Sequence, residues 1–208
     1  MDIWECRKNP WYFISNFYMT LDEHDDLNPE RKPFPAHWDI MRELVYWMEY
    51  DLKRPGNNAI VVPKSRQLMV SWVVVAYLLC KCMYRPMTSC FIQSQRKEDA
   101  EYQILRAKKS YNYLAAEIRE SSPLTKSTDR QPNDSLHFAN GSHIIGLPAG
   151  GDVIRSKVPT ILLSDEAAFQ DDFDDVLKAA KACVKLHIAV SSPNPGTFQK
   201  LVEDTYGI

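Results

Sequence analysis

Four short apolar runs, at residues 59–62, 88–93, 160–164 and 187–191, each give way to a cluster of polar side chains, and helical patterns separate them. This alternation constrains the chain more than any other feature. Strands buried on both faces read as unbroken apolar runs, and strand–helix alternation builds a mainly parallel sheet covered by helices on both sides. In such sheets ligands bind beyond the carboxyl ends of the strands. The polar clusters at 63–67, 94–97, 165–166 and 191–194 are therefore expected to share one rim, and chemistry is expected there.

Spacing predicts the helices. Trp38, Met41, Leu44, Val45, Met48 and Leu52 recur three or four residues apart. Residues 68–84 form a helix that is apolar nearly all round, stopped by Arg85-Pro86. Ser94 is expected to cap the next helix, with Tyr102, Leu105, Lys109 and Tyr113 along one face. Two further helices are predicted at 171–183 and 197–205. Residues 136–138 and 143–147 flank Asn140-Gly141, which predicts a hairpin closed by a type I′ turn. The opening 35 residues, with Pro10, Pro29, Pro33 and Pro35 and an acidic patch at 22–26, are predicted to be irregular. Pro-Gly-Asn-Asn at 55–58 breaks the chain and divides an N-terminal segment, 1–57, from a core at 58–208.

A chain of 208 residues with 45% apolar content suits one large α/β domain. The longest apolar stretch, 13 residues at 68–80, is too short to span a bilayer, and no apolar leader opens the sequence. No membrane partner is expected. Five cysteines without a regular framework predict reduced thiols and a cytoplasmic location. The net charge of −2 hides an asymmetry. Residues 1–57 carry 7 basic and 11 acidic side chains (net −4), 58–160 carry 14 and 8 (net +6), and 161–208 carry 4 and 8 (net −4). The basic middle could face a polyanion or could simply be a set of solvated helix faces.

Strand, turn, helix at residues 59–84 is the layout of a phosphate-binding loop, whose usual residues are G-x-x-x-x-G-K-[ST]. The eight positions here read Lys64, Ser65, Arg66, Gln67, Leu68, Met69, Val70 and Ser71. Only Ser71 fits; both glycines and the usual lysine are missing, and Met69 stands where a tight turn favours glycine. The physical task is more forgiving than the pattern. Helix N-terminal amides attract a phosphate, and the flexible stem of Lys64 could bring an ammonium to the same oxygens from the start of the loop. The strand at 160–164 runs into Asp165-Glu166, an adjacent carboxylate pair that can divide metal binding from activation of water. Ser191, Ser192 and Asn194, at the tip of the last strand, suit a sensor of phosphate or water.

In order and spacing these segments resemble the large terminase subunit of tailed bacteriophages over about residues 33–200. The likeness rests on Lys64-Ser65-Arg66-Gln67 before an apolar helix, on the hairpin and Gly-rich run leading to Asp165-Glu166, and on Ser191-Ser192-Pro193-Asn194. The resemblance implies an α/β additional-strand P-loop ATPase with a hairpin insertion, the coupling strand lying between the Walker A and Walker B strands. It implies that Lys64 to Ser71 hold the phosphates of ATP, that Ser71 and Asp165 ligate Mg²⁺, and that Glu166 is the catalytic carboxylate. Ser191, Ser192 and Asn194 would couple hydrolysis to motion, and Arg155 would reach into a neighbouring subunit's site. Phe34 and His37 lie where the family binds adenine, with His37 in place of its glutamine. The implied partners are double-stranded DNA, a portal protein, a small terminase subunit and further copies in a ring, working in the host cytoplasm. Full-length relatives continue into a lid and a nuclease, and no DNA cleavage is expected of these residues. Two other functions fit the residues: a helicase or translocase of similar core, and a non-hydrolysing scaffold with a defective loop.

Overall fold

The computed structural model describes residues 2–21, 31–65 and 68–207. Its eight strands, among the described residues, are β1 (Met19–Leu21), β2 (Arg31–Pro33), β3 (Asn58–Pro63), β4 (Ser89–Gln93), β5 (Ser135–His137), β6 (His143–Leu147), β7 (Ile161–Asp165) and β8 (Leu186–Ser191). Its helices are α1 (Ile3–Lys8), α2 (Pro10–Phe17), α3 (Asp39–Lys53), α4 (Val70–Tyr84), α5 (Lys97–Tyr113), α6 (Ala116–Glu120), α7 (Gly151–Arg155), α8 (Phe173–Cys183) and α9 (Thr197–Tyr206).

Six strands form the central sheet in the order β3-β8-β7-β4-β6-β5, all parallel but β5. Alternate residues of each strand face opposite layers. Ile161, Leu163, Ile188 and Val190 join a core with α1 to α5, whereas Leu162 and Ala189 join a second core with α7, α8 and α9. The doubly covered parallel sheet expected from the four apolar runs is therefore the observed fold. β8 sits between β3 and β7, the strand order of an additional-strand P-loop fold. Helix α4 is apolar on every side because α1, α2, α3 and α5 enclose it; 13 of its residues are buried.

Three local readings need correction. The opening segment is not irregular: α1 is capped by Asp2, whose Oδ1 accepts from the amides of Trp4 (3.0 Å) and Glu5 (3.2 Å). Pro10 starts α2 at its first position, where proline's missing N–H costs nothing. Trp11, Phe13 and Ile14 are buried in the same core as α4, so one hydrophobic cluster runs across the 57/58 boundary. The acidic patch at 22–26 lies outside the described residues, as do Pro29, Arg66 and Gln67.

The hairpin exists but its turn differs. Only Gly141 has positive φ (83°), and Phe138 N–H donates to the Ser142 carbonyl (2.9 Å), the pattern of a three-residue loop with a glycine bulge. Asn140 serves through its side chain, donating to the carbonyls of Cys82 (2.9 Å) and Met83 (3.1 Å). The hairpin joins the central sheet through β6, which pairs in parallel with β4. Finally, α5 starts at Lys97 without a side-chain cap, and Ser94 stays in the preceding turn.

Candidate functional site

The turn after β3 begins at Lys64, whose amide donates to the Ser191 carbonyl (2.9 Å) and so ties the loop to the tip of β8. Its side chain is only 8% exposed and its Nζ lies 2.7 Å from Glu166 Oε1. Ser65 and Leu68 are exposed. Met69 adopts φ 54°, ψ 14°, the left-handed backbone that glycine takes at such turns. Val70, buried, starts α4, and Ser71 in its first turn donates through Oγ to Asp165 Oδ1 (2.7 Å). The two ends of the turn thus meet the two adjacent acids.

Asp165 closes β7 and is 5% exposed. Its second oxygen, Oδ2, accepts from Gln103 Nε2 (2.7 Å), and its carbonyl accepts from Gln170 Nε2 (3.0 Å). Glu166 follows in a left-handed conformation, φ 49°, ψ 47°, a strained state that proteins keep chiefly at functional sites. That backbone reversal sends the two carboxylates to different partners. Glu166 Oε2 accepts from the Ser192 amide (3.2 Å), Ser192 Oγ (2.9 Å) and Ser191 Oγ (3.4 Å). Asn194 instead donates to the Ala168 carbonyl (3.0 Å), holding the turn after β7.

Environment separates the two acids. Burial raises the Asp165 carboxyl above its ordinary value, against the Ser71 hydrogen bond, and the charge of Glu166 adds to the rise. Burial also acts to raise Glu166, but hydrogen bonds from Lys64 and Ser192 and the charge of Lys64 outweigh it and hold the group below the usual carboxylate range. Neighbouring carboxyls driven in opposite directions are suited to different tasks.

All four polar clusters reach one cleft of about 470 Å³, whose walls include Lys64, Ser94, Gln95, Arg96, Asp165, Glu166 and Ser192. Tyr102, Gln103 and Arg106 line it from α5; of these only Tyr102 is named by the helical spacing, and Gln103 and Arg106 belong to no motif. A signal existed: Gln103 falls on the buried stripe of Ala100, Ile104 and Ala107, where a polar residue needs a polar partner. The face predicted from spacing, with Tyr102 and Leu105, is the outer one, each residue 41% exposed.

The cleft does not gather every residue named from sequence. Phe34 is 2% exposed and packs edge-on against Trp11 and Tyr18, a core role that leaves no open ring face for a base. His37 is exposed beside Trp38 and does not line the cleft. Arg155, on α7, is 51% exposed, pairs with Asp152 and lies outside the cleft walls.

No cluster of three or more His, Cys, Asp or Glu side chains poised for a metal occurs among the described residues. A metal here would rest on Asp165, Ser71 and oxygens brought by a ligand. Magnesium favours that hard, sparse donor set, so the residues fit it.

The fold is shared with phage large terminases. The chain is similar to the large terminase ATPase domain of Thermus phage P74-26 (TM-score 0.53, 14% identity, covering 81% of this chain and 73% of that one). It is also similar to an arginine-to-alanine mutant of that domain (TM-score 0.50, 14% identity, 71% and 65% covered). The large terminase of a thermophilic bacteriophage gives TM-score 0.51 at 13% identity over 78% of this chain, which spans only 42% of that protein. No protein-family profile and no curated protein sequence matches the chain.

Proposed function

We propose that this chain is the ATP-hydrolysing motor domain of a viral DNA-packaging terminase. One observation carries the reading: the turn after β3 delivers Lys64 to Glu166 and Ser71 to Asp165, Lys64 and both acids line one cleft, and β8 lies between the two strands that supply them. The left-handed backbone of Met69 supports it, since the turn keeps a glycine-like path without the glycine.

In this reading the loop amides and Lys64 bind the phosphates of ATP, while Ser71 and Asp165 hold Mg²⁺. The metal, when bound, offsets phosphate charge. Lys64 exchanges Glu166 Oε1 for phosphate oxygens, which frees Oε1 to orient water and take its proton. Ser191 and Ser192 keep Oε2 and so hold the carboxylate in place. Arg155 would act in trans, leaving Asp152 for a neighbouring copy's cleft, which makes full activity depend on ring assembly. Double-stranded DNA would be held through its phosphates and moved through a portal in the host cytoplasm with the small subunit's help. Within the basic middle, Lys109, Lys126 and Arg130 are exposed, whereas Arg96 and Lys97 pair with Asp99 and Glu101, and Lys108 is buried against the Pro132 carbonyl. Arg96 and Lys97 are exposed too but already pair with carboxylates, so Lys109, Lys126 and Arg130 are the better DNA contacts. No helix among the described residues is long and apolar enough to cross a membrane.

The test is Mg²⁺-dependent nucleotide binding by wild type and Lys64→Ala. A hydrogen bond to a charged group contributes about 1.5–3 kcal/mol, so affinity should fall roughly 10- to 100-fold in the variant. Equal affinities would remove Lys64 from its role and the reading with it.

A further inference from the structure

We propose that Gln103 is the positioning residue for Asp165: it fixes the plane of the carboxylate so that Oδ1, beside Ser71, faces the metal. The inference rests on the reading of Asp165 as a magnesium ligand. A carboxylate at a strand end can turn about its last bond, and one donor does not stop it. Here two donors come from different helices, Ser71 of α4 on Oδ1 and Gln103 of α5 on Oδ2, each at 2.7 Å. Their pull from two sides defines the plane.

Gln103 is itself held. Its Oε1 accepts from an Arg106 guanidinium nitrogen at 3.3 Å, which leaves the amide nitrogen for Asp165. The Arg106 guanidinium lies 4.6 Å from the centroid of Trp72 and 4.6 Å from that of Tyr102. Trp72 is the next residue after Ser71, so the contacts close a ring: Ser71, Asp165, Gln103, Arg106, Trp72. The ring ties the start of α4, the middle of α5 and the end of β7 into one unit.

Packing alone does not explain a glutamine at 103. The residue is 6% exposed and sits among Ala100, Ile104 and Ala107, where an aliphatic side chain would fill the space without a buried amide to satisfy. A neutral donor suits the task, because a second carboxylate would repel Asp165 and a cation would compete with the metal. Partners that orient a metal ligand commonly change metal affinity by about 10- to 100-fold when removed.

The experiment titrates Mg²⁺ into a fluorescent adenine nucleotide and the protein, for wild type, Gln103→Leu and Gln103→Met, with a parallel measurement in chelator. The half-saturating Mg²⁺ concentration should rise about tenfold in both variants, while nucleotide affinity without Mg²⁺ stays as in wild type. A residue that merely supports the fold would weaken both equally, and that result overturns the proposal. So does an unshifted Mg²⁺ dependence. Two variants of different shape guard against one that folds poorly, and the binding seen in chelator reports the folded fraction of each. If wild type shows no Mg²⁺-dependent binding at all, the assignment of Asp165 fails first. If wild type and Lys64→Ala behave as stated above but the Gln103 variants do not shift, only the role of Gln103 falls.

Discussion

Met69 carries a backbone conformation that costs an L-residue about 1–2 kcal/mol and costs glycine nothing in steric terms. Its side chain packs partly against the main core, so shape and packing pull in opposite directions at this position. Valine keeps most of the apolar contact but, being β-branched, tolerates positive φ worst of all. Urea unfolding should therefore find Met69→Val less stable than Met69→Gly by about 1 kcal/mol or more. The reverse order would mean that packing, not backbone strain, governs the turn. At this scale the sequence was legible in which side chains meet at the strand ends, Lys64 and the two serines on Glu166. Phe34 was not, because an aromatic before a helix looks the same whether it fills a core or stacks on a base. Gln103 is not legible from spacing, because its partner lies 62 residues away.

Among the elements, α7 and α8 show how closely two helices can be set by one residue. A Cβ on Gly151 would lie 2.6 Å from the Asp175 carbonyl oxygen and 2.8 Å from its carbon, so the backbones meet directly there. Gly151→Ala must push α7 away from α8, and overpacking of this kind costs about 1–3 kcal/mol. The loss should appear as a lower midpoint in chemical denaturation with an unchanged slope. A neutral substitution would show that α7 can shift freely, and with it Arg155. Helices and strands with strong periodicity were legible to within a residue or two. The opening helices were hidden because Pro10, read as a breaker, is a helix starter when Asn9 precedes it and caps the turn. The hairpin was legible as a pairing but not as a turn, since Asn140 uses its amide side chain rather than an unusual backbone.

For the molecule as a whole, the order of strands was not written in any local pattern. It followed from the resemblance and from β8 inserting between β3 and β7. That arrangement buries His187 of β8 opposite Leu162 of β7, with its Nε2 2.9 Å from Ser164 Oγ. Burial lowers its pKa from 6.5 to about 4. The unfolded chain then binds a proton near pH 6.5 that the folded chain refuses until near pH 4. Stability contributed by neutral His187 is complete above the upper value and is lost as pH falls through this window, by up to about 3 kcal/mol. His143, lowered by burial and by His137, acts in the same sense. Unfolding free energy measured from pH 7 to pH 4 should fall in wild type and fall less steeply in His187→Gln; parallel curves would locate the acid sensitivity elsewhere.

The tip of β8 touches both banks of the cleft at once. The Ser191 carbonyl receives the Lys64 amide, while the hydroxyls of Ser191 and Ser192 grip Glu166. A rigid ribbon seated in mid-sheet cannot slide by even a fraction of an ångström without disturbing both grips together. A shift of its opposite end, where Leu186 sits between Asn58 and Ile161, would therefore move the Lys64 backbone and the Glu166 carboxylate together, like a tiller that turns two rudders.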